Sequence, residues 1–295
     1  SYKPVSRQVN MQAENPWAEY IGRTQQSQIE ISFDRMQGLA ALLDYPELPW
    51  PAGEAPPTGH WCAIFPFARQ SKLGHDGHEQ RGEFYPPITY PRRMWVGGSI
   101  RIQQSLPVGV PLIHRSTIRA IENKVGKTGP MCFLTISHEY LDNGGVLLED
   151  VQKIVYREAS GEPASKPVIR PAATTGASQA FDWSQTVMPD AVLLFRYSAV
   201  SFNGHRIHYD LDYVREEGYP GLLVHAPLTA TMLVDLYQRN CPGKRIVQLD
   251  YSARSPMYGG LPFTLYGKQQ DNGRVSLWAE DCEGTVSMTA ELHTI

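Results

Sequence analysis

The sequence predicts an α+β fold in which a strand, a helix and four antiparallel strands occur in that order twice. Two observations carry this prediction. In each half of the 295-residue chain a segment of helical period precedes segments of alternating period. The turns Asp142-Asn143-Gly144-Gly145 and Asp271-Asn272-Gly273 are strong hairpin signals within those alternating segments. The repeat indicates an ancient duplication whose two sheets could pair edge to edge.

The first half begins with a predicted strand at Ile29–Phe33 and a helix from Asp34, a candidate N-cap, to Leu43. Tyr45–Arg93 is rich in Pro, Gly and aromatic residues and has no steady period. A stretch of that length is often a functional covering loop. Strands are then predicted at Trp95–Gln103, Pro111–Lys124, Met131–Leu141 and Val146–Arg157.

The second half follows a Pro-rich stretch, Ala159–Gln179, that disfavours both helix and strand and is interpreted as a linker, with a long surface loop as the alternative. A strand is predicted at Val192–Val200, an irregular segment at Ser201–Val224 and a helix at Pro227–Tyr237. Four more strands are predicted, at Arg245–Ala253, Pro262–Gln269, Val275–Glu280 and Thr285–Leu292.

The composition is that of a globular protein, with 42% hydrophobic and 19% charged residues. A net charge of −3 gives no electrostatic basis for binding nucleic acid or an anionic membrane. The four cysteines are far apart, which favours a reducing compartment over disulfides or zinc. The N-terminus lacks a signal-peptide pattern, so we expect a cytoplasmic protein, or a mitochondrial-matrix protein if a targeting segment has been removed.

The densest group of reactive side chains is Ser201–Asp210, which contains two histidines, an amide, an arginine and a carboxylate. Histidine exchanges protons readily near neutral pH, so His208 is the candidate acid–base residue. Gly221–Pro227 runs directly into the predicted helix. The first N–H groups of a helix have no internal acceptor and can stabilise an oxygen that gains negative charge. A base and such a helix end are what the addition of water to an unsaturated thioester requires.

Ser201–Ala226 resembles the signature of the MaoC-like (R)-specific enoyl-CoA hydratases, in which a catalytic Asp and His precede a His-Gly pair at a helix start. His208 and His225 have the family's spacing, while Asn203 stands at the position of the Asp and Ala226 at that of the Gly. The motifs FNGHRIHYD, EGYPGLLVH and PRRMW resemble a fused branch that contains mesaconyl-C4-CoA hydratase, itaconyl-CoA hydratase and the FAS1-like dehydratase domain.

The resemblance implies a double hot-dog fold, two fused domains that each wrap an antiparallel sheet around a helix. Residues 1–160 would form a degenerate half with the substrate and coenzyme A pocket, 161–179 a linker and 180–295 the catalytic half. The implied reaction is reversible hydration of an α,β-unsaturated acyl-CoA by His208, with Asn203 orienting the water and the Ala226 N–H binding the thioester oxygen. We expect a homodimer, and no cofactor besides the coenzyme A of the substrate.

Substrate binding is predicted for Arg92, Arg93, Arg206, His225 and Gly221. The three arginines are candidates because guanidinium groups bind carboxylates and phosphates bidentately. The arginines favour a short dicarboxylic acyl group, as in itaconyl-CoA or mesaconyl-C4-CoA. His75 and His78 have a metal-like spacing but no third ligand nearby in sequence, so no metal site is predicted. The alternatives are a 3-hydroxyacyl-thioester dehydratase of fatty acid or polyketide synthesis, a thioesterase, and a non-catalytic acyl-thioester binding protein.

Overall fold

The structure, a computed structural model, describes residues 15–63, 67–159 and 177–295. Most of the predicted linker, residues 160–176, lies outside this range. The helices are α1 (Phe33–Leu42), α2 (Ala191–Ser201), α3 (Leu211–Glu216) and α4 (Ala226–Asn240). The strands are β1 (Thr24–Glu30), β2 (Arg92–Ile102), β3 (Pro111–Gly126), β4 (Gly129–Asp142), β5 (Gly145–Arg157), β6 (Trp183–Val187), β7 (Ile246–Ala253), β8 (Phe263–Gln269), β9 (Arg274–Glu280) and β10 (Val286–Thr294).

These strands form one antiparallel sheet in the order β1-β3-β4-β5-β2-β7-β10-β9-β8-β6. The order of the second half is that of the first half reversed, so the two halves repeat one plan about the β2–β7 pair. The predicted repeat of one plan and the edge-to-edge pairing are therefore confirmed. No helix in the described ranges has the length and hydropathy needed to cross a membrane.

Most predicted elements are confirmed, including α1, α4 and the strands β2–β5 and β7–β10. The first strand lies earlier than predicted, because β1 ends at Glu30 and Phe33 already begins α1, which Ser32 caps. The predicted loop at 45–93 is confirmed as well, since its described part contains only short 3₁₀ turns and isolated bridges before β2 begins at Arg92.

The prediction of a strand at Val192–Val200 is wrong, because this segment lies in α2. Asp190 caps that helix, and its carboxylate accepts the backbone N–H of Leu193 at 2.8 Å. Val192 and Phe195 are 62% and 64% exposed. Residues three apart lie on the same face of a helix but on opposite faces of a strand, so this pattern fits a helix. A short apolar run has no period that separates a buried strand from a helix. The strand of this half, β6, lies earlier in a more polar segment.

The long helix α4 is the centre of the second half. Residues 228–237 are all buried, and the helix packs inside the curve of β6, β8, β9 and β10. A helix that is enclosed on every side can be apolar around its whole circumference. The second half is therefore a complete hot-dog unit.

At the equivalent place in the first half, the described residues contain only a 3₁₀ turn at Gly59–Cys62. The backbone N–H of Ala55 bonds to the Leu106 oxygen just before this turn, as that of Val224 bonds to the Met257 oxygen just before α4. Helix α1 does not occupy that place, because its main helical contacts are with α2 and this turn. The concave face of the first half is left open for other use.

The joint between the halves requires a glycine at position 98. Gly98 pairs with Tyr251 across β2–β7, and a Cβ added to it would collide with the Tyr251 hydroxyl and the Val151 carbonyl. We expect Gly98→Ala to lower the free energy of unfolding by about 1–3 kcal/mol, because the crowded backbone must shift. Urea titration measures this loss.

The matched control is Gly221→Ala. Its added Cβ would lie 3.9 Å from the nearest atom, in the side chain of Tyr258, which is an ordinary contact. The control should change stability by no more than about 0.5 kcal/mol. Equal losses in the two variants would contradict the importance of close packing at the joint.

Candidate active site

The segment Phe202–Asp210, called the catalytic segment below, turns sharply between α2 and α3 and carries the candidate histidines. Phe202 ends α2 in the left-handed conformation, with φ at 51°. The Asn203 side-chain oxygen accepts the backbone N–H of His205 at 3.0 Å, and Asp210 caps α3 by accepting the N–H of Tyr213. These local hydrogen bonds fix an irregular backbone that directs both His205 and His208 toward one cavity.

The ring of His208 is held in one tautomer by a hydrogen bond to the backbone. Its Nδ1–H donates to the backbone oxygen of Leu223 at 2.8 Å, so Nε2 keeps its lone pair. Burial lowers the pKa of His208 to about 4, against the opposing effect of the Leu223 hydrogen bond. His208 is therefore neutral near pH 7 and lines the cavity as a proton acceptor.

His225 supports this ring from behind. The two imidazoles stack with their centroids 3.6 Å apart, and His225 Nε2 lies 2.8 Å from the hydroxyl of Ser198. Neither His225 nor Gly221 is among the described residues that line the cavity, although both were predicted to bind substrate. His225 instead contacts the ring of His208, and its role in substrate binding stays a prediction.

Ala226 is the first residue of α4 and lines the cavity with Pro227 and Thr229. The Thr229 N–H bonds to the His225 oxygen and so begins the helix ladder. The N–H at the first helical position has no acceptor within the helix, and the helix dipole adds partial positive charge there. The predicted oxyanion group and His208 therefore line the same cavity.

The cavity has a volume of about 800 Å³ and is lined by both halves. The covering loop supplies one wall, as the sequence predicted, and the concave face of β3, β4 and β5 supplies another. Four arginines line it against two carboxylates: Arg81, Arg93, Arg157 and Arg254, with Asp76 and Glu79. This surplus of positive charge suits a ligand that bears several negative charges.

The three predicted substrate arginines have different locations. Only Arg93 lines the cavity. Arg92 is 8% exposed, lies over the ring of Tyr219 and is 3.9 Å from the Glu217 carboxylate. Neighbouring residues of a strand point to opposite faces, so only one of this pair can reach the cavity. Arg206 forms two hydrogen bonds to Asp210, at 2.7 and 2.9 Å, and thereby fastens the catalytic segment.

Sequence reasoning missed that loop residues approach the catalytic segment. His78 lies beside His205, with ring centroids 4.5 Å apart, and both line the cavity. Nothing in a single sequence relates two residues so far apart, although the spacing of His75 and His78 drew attention to this loop. His75 itself is exposed, 3.8 Å from the Glu216 carboxylate.

Asp76, His78 and His205 each present an atom of metal-binding type, and the three atoms lie within 4.8 Å of one another. Two arginines oppose a cation there. Arg93 Nη1 is 3.2 Å from His78 Nε2, and Arg81 is 3.8 Å from the Asp76 carboxylate. The absence of a metal stays a prediction, and the local charge favours it.

The loop is docked on the catalytic segment through Gly77. The backbone N–H of Arg206 donates to the backbone oxygen of Asp76 at 2.9 Å. A Cβ added at Gly77 would collide with the backbone oxygen of Gly204. We expect Gly77→Ala to reduce turnover of an enoyl-CoA roughly 10²-fold, because displacing a cavity wall by about 1 Å can have that effect. Steady-state kinetics tests this.

Gly22→Ala is the control, because Gly22 has almost the same φ, +87° against +89° for Gly77, but no atom within 4 Å of an added Cβ. It should lose about 1–2 kcal/mol of stability through backbone strain and keep its turnover. Normal activity in Gly77→Ala would show that docking of the loop is unimportant.

Comparison with known proteins agrees with this geometry. Residues 58–259 match the family model for hydroxyacyl-thioester dehydratase type 2 (Htd2). Mesaconyl-C(4)-CoA hydratase of Chloroflexus aurantiacus is 39% identical over 280 residues, which cover 94% of this chain and 97% of that protein.

Two solved structures share the fold. A MaoC-like dehydratase from Phytophthora capsici superposes with a TM-score of 0.70 at 16% identity, over 93% of this chain and 95% of its own. A Mycobacterium tuberculosis protein described as a double hot-dog has a TM-score of 0.54 at 13% identity, over 93% and 96%. The chain therefore belongs to the hydroxyacyl-thioester dehydratase type 2 family, has the double hot-dog fold and is a hydro-lyase.

Proposed function

We propose that the preferred substrate is a short enoyl-CoA whose acyl group carries a second, free carboxylate, with mesaconyl-C4-CoA first and itaconyl-CoA second. The name of the Chloroflexus relative supports this order. The reaction adds water across the double bond and is reversible, so the same residues dehydrate the 3-hydroxyacyl thioester.

The observation that carries the proposal is the environment of Arg93. Its guanidinium lines the cavity beside His78 Nε2 and the Tyr156 hydroxyl. Among the described residues Asp76 and Glu79 act on it electrostatically, but neither carboxylate lies within the 4.0 Å of a direct ion pair. A cation in a partly buried site is costly without a partner, and a guanidinium fits a carboxylate bidentately. The free carboxylate of the substrate supplies that partner.

The catalytic steps follow from the geometry of His208 and Ala226. The thioester oxygen accepts the Ala226 N–H, which stabilises the negative charge that develops as water attacks C3. His208 Nε2 takes a proton from that water, because its Nδ1–H is already committed to Leu223. Asn203 lines the same wall, and its amide N–H groups can donate to the water or the substrate.

The polar floor of the first half favours a small polar acyl group over a long alkyl chain. His114, Ser116 and His138 line the cavity and hydrogen-bond to one another at 2.9 to 3.2 Å. Gln152, also in the lining, donates to the buried Asp150. A fatty acyl chain placed there would displace water from these polar groups and would offer no hydrogen bonds in exchange.

Arg93→Gln tests the substrate class. We expect kcat/KM for mesaconyl-C4-CoA to fall about 10- to 150-fold, because charge-assisted hydrogen bonds contribute about 1.5–3 kcal/mol each. Crotonyl-CoA, which has no second carboxylate, should be affected less than threefold. Loss of the enoyl absorbance measures hydration, and a thiol reagent run in parallel detects any thioesterase activity.

Arg101→Gln is the control, because Arg101 lies on the same strand and is exposed. It should leave both substrates unchanged. An equal loss for the two substrates in Arg93→Gln would contradict a carboxylate-binding role for that residue.

Ala226→Pro tests the oxyanion group by removing one N–H. Proline is tolerated in the first turn of a helix, and the extended His225 backbone, with φ −63° and ψ 128°, suits a residue before proline. We expect kcat to fall about 10²- to 10³-fold, as when other oxyanion donors are removed. Ala226→Gly keeps the N–H and should retain most activity, and a fast Ala226→Pro variant would exclude this N–H from the reaction.

A further inference from the structure

The active site has no carboxylate at the position where the family resemblance puts a catalytic aspartate. Asn203 stands there, and an amide cannot take a proton from water. Its oxygen also accepts the His205 N–H within the turn. A second proton acceptor must therefore come from another residue if two groups are to hold the attacking water.

His205 is the residue whose placement meets this need. Its side chain is buried, lines the cavity, and has its ring centroid 5.6 Å from that of His208. The two rings are nearly perpendicular, at 85°. The nitrogens lie on the ring edges, so they can approach each other more closely than the centroids do, within the span of one water that donates a hydrogen bond to each ring.

The loop of the first half holds His205 in place. The ring of His78 packs against it, and Arg93 donates to His78 Nε2 at 3.2 Å. Because a guanidinium can only donate, His78 Nε2 accepts and His78 is neutral. Burial, with the neighbouring His78, His208, Arg93 and His225, holds the pKa of His205 well below its usual value. His205 is therefore neutral near pH 7 and can accept a proton.

We propose that His205 is the second proton acceptor of the catalytic water, in the role that a carboxylate has in the resembling family. This inference rests on hydration as the reaction and does not depend on the dicarboxylic substrate. His205 and His208 hold the two water hydrogens, which leaves an oxygen lone pair directed at C3.

The step is balanced without any further reactant. The water oxygen bonds to C3 as one O–H bond breaks, and that proton moves to an imidazole of the pair. The π electrons of the double bond pass toward C2 and the thioester oxygen, which the Ala226 N–H stabilises. The imidazolium then gives its proton to C2, so both histidines return to their neutral forms and the hydroxyl keeps the second water hydrogen.

The test compares His205→Asn with the wild type on mesaconyl-C4-CoA and on crotonyl-CoA. We expect kcat to fall about 10²-fold or more on both, since general acid–base groups contribute about 10²- to 10⁴-fold. KM should change less than threefold. His293→Asn, whose ring contacts Glu291 away from the cavity, should be normal.

The double variant Asn203→Asp with His205→Asn separates a proton-transfer role from a structural one, because it supplies the carboxylate that the resembling family has at the position of Asn203. We expect it to recover at least tenfold in kcat over His205→Asn. A single variant that keeps more than a third of wild-type kcat, or a folded double variant with no recovery, overturns the proposal. Should His205→Asn fail to fold by circular dichroism, His205→Gln replaces it in both comparisons.

Metal analysis completes the test, because the same side chains could bind a cation. Purified protein should contain far less than one equivalent of zinc or iron and keep its activity in a chelator. A stoichiometric metal whose removal abolishes hydration overturns the role of His205 as a proton acceptor. A loss of dicarboxylate preference with His205 still essential on crotonyl-CoA would count against the proposed substrate alone.

Discussion

The pairing of β2 with β7 is the constraint on which the site depends. It makes the two sheets continuous and brings the start of β2, with Arg93, to the border of the second half. The covering loop leads directly into β2, so it too reaches the catalytic segment. Neither half alone contains the arginine, the loop histidine and the helix end that line the cavity. The active site is therefore a property of the joined sheet.

Charge within the cavity is divided between fixed cations and neutral bases. The arginines stay protonated at any physiological pH, whereas burial lowers the pKa of His208 and His205. The histidines can therefore accept protons while the guanidinium groups attract an anionic thioester.

The sequence predicted the parts of the fold and site that are written in local patterns. Alternation and turns were sufficient for eight of the ten strands, β2–β5 and β7–β10. The apolar segment of α2 was predicted as a strand, because a short apolar run has no period that separates a strand from a helix. His208 and Ala226 were predicted to share one site because their motif is continuous in sequence, and both line the cavity. The approach of His78 to His205 was invisible, since it depends on how two halves dock. Which of Arg92 and Arg93 lines the cavity depends on the side of the sheet to which each points, and that requires the structure.

The 3₁₀ turn at Gly59–Cys62, in the place of a long first-half helix, also affects how the chain folds. Buried residues from both halves form one continuous apolar cluster, and α1 packs against α2 across the repeat. The described part of the first half lacks a long helix to fill its own interior, so its burial of apolar surface depends on the second half. We therefore expect the two halves to unfold together in a single transition.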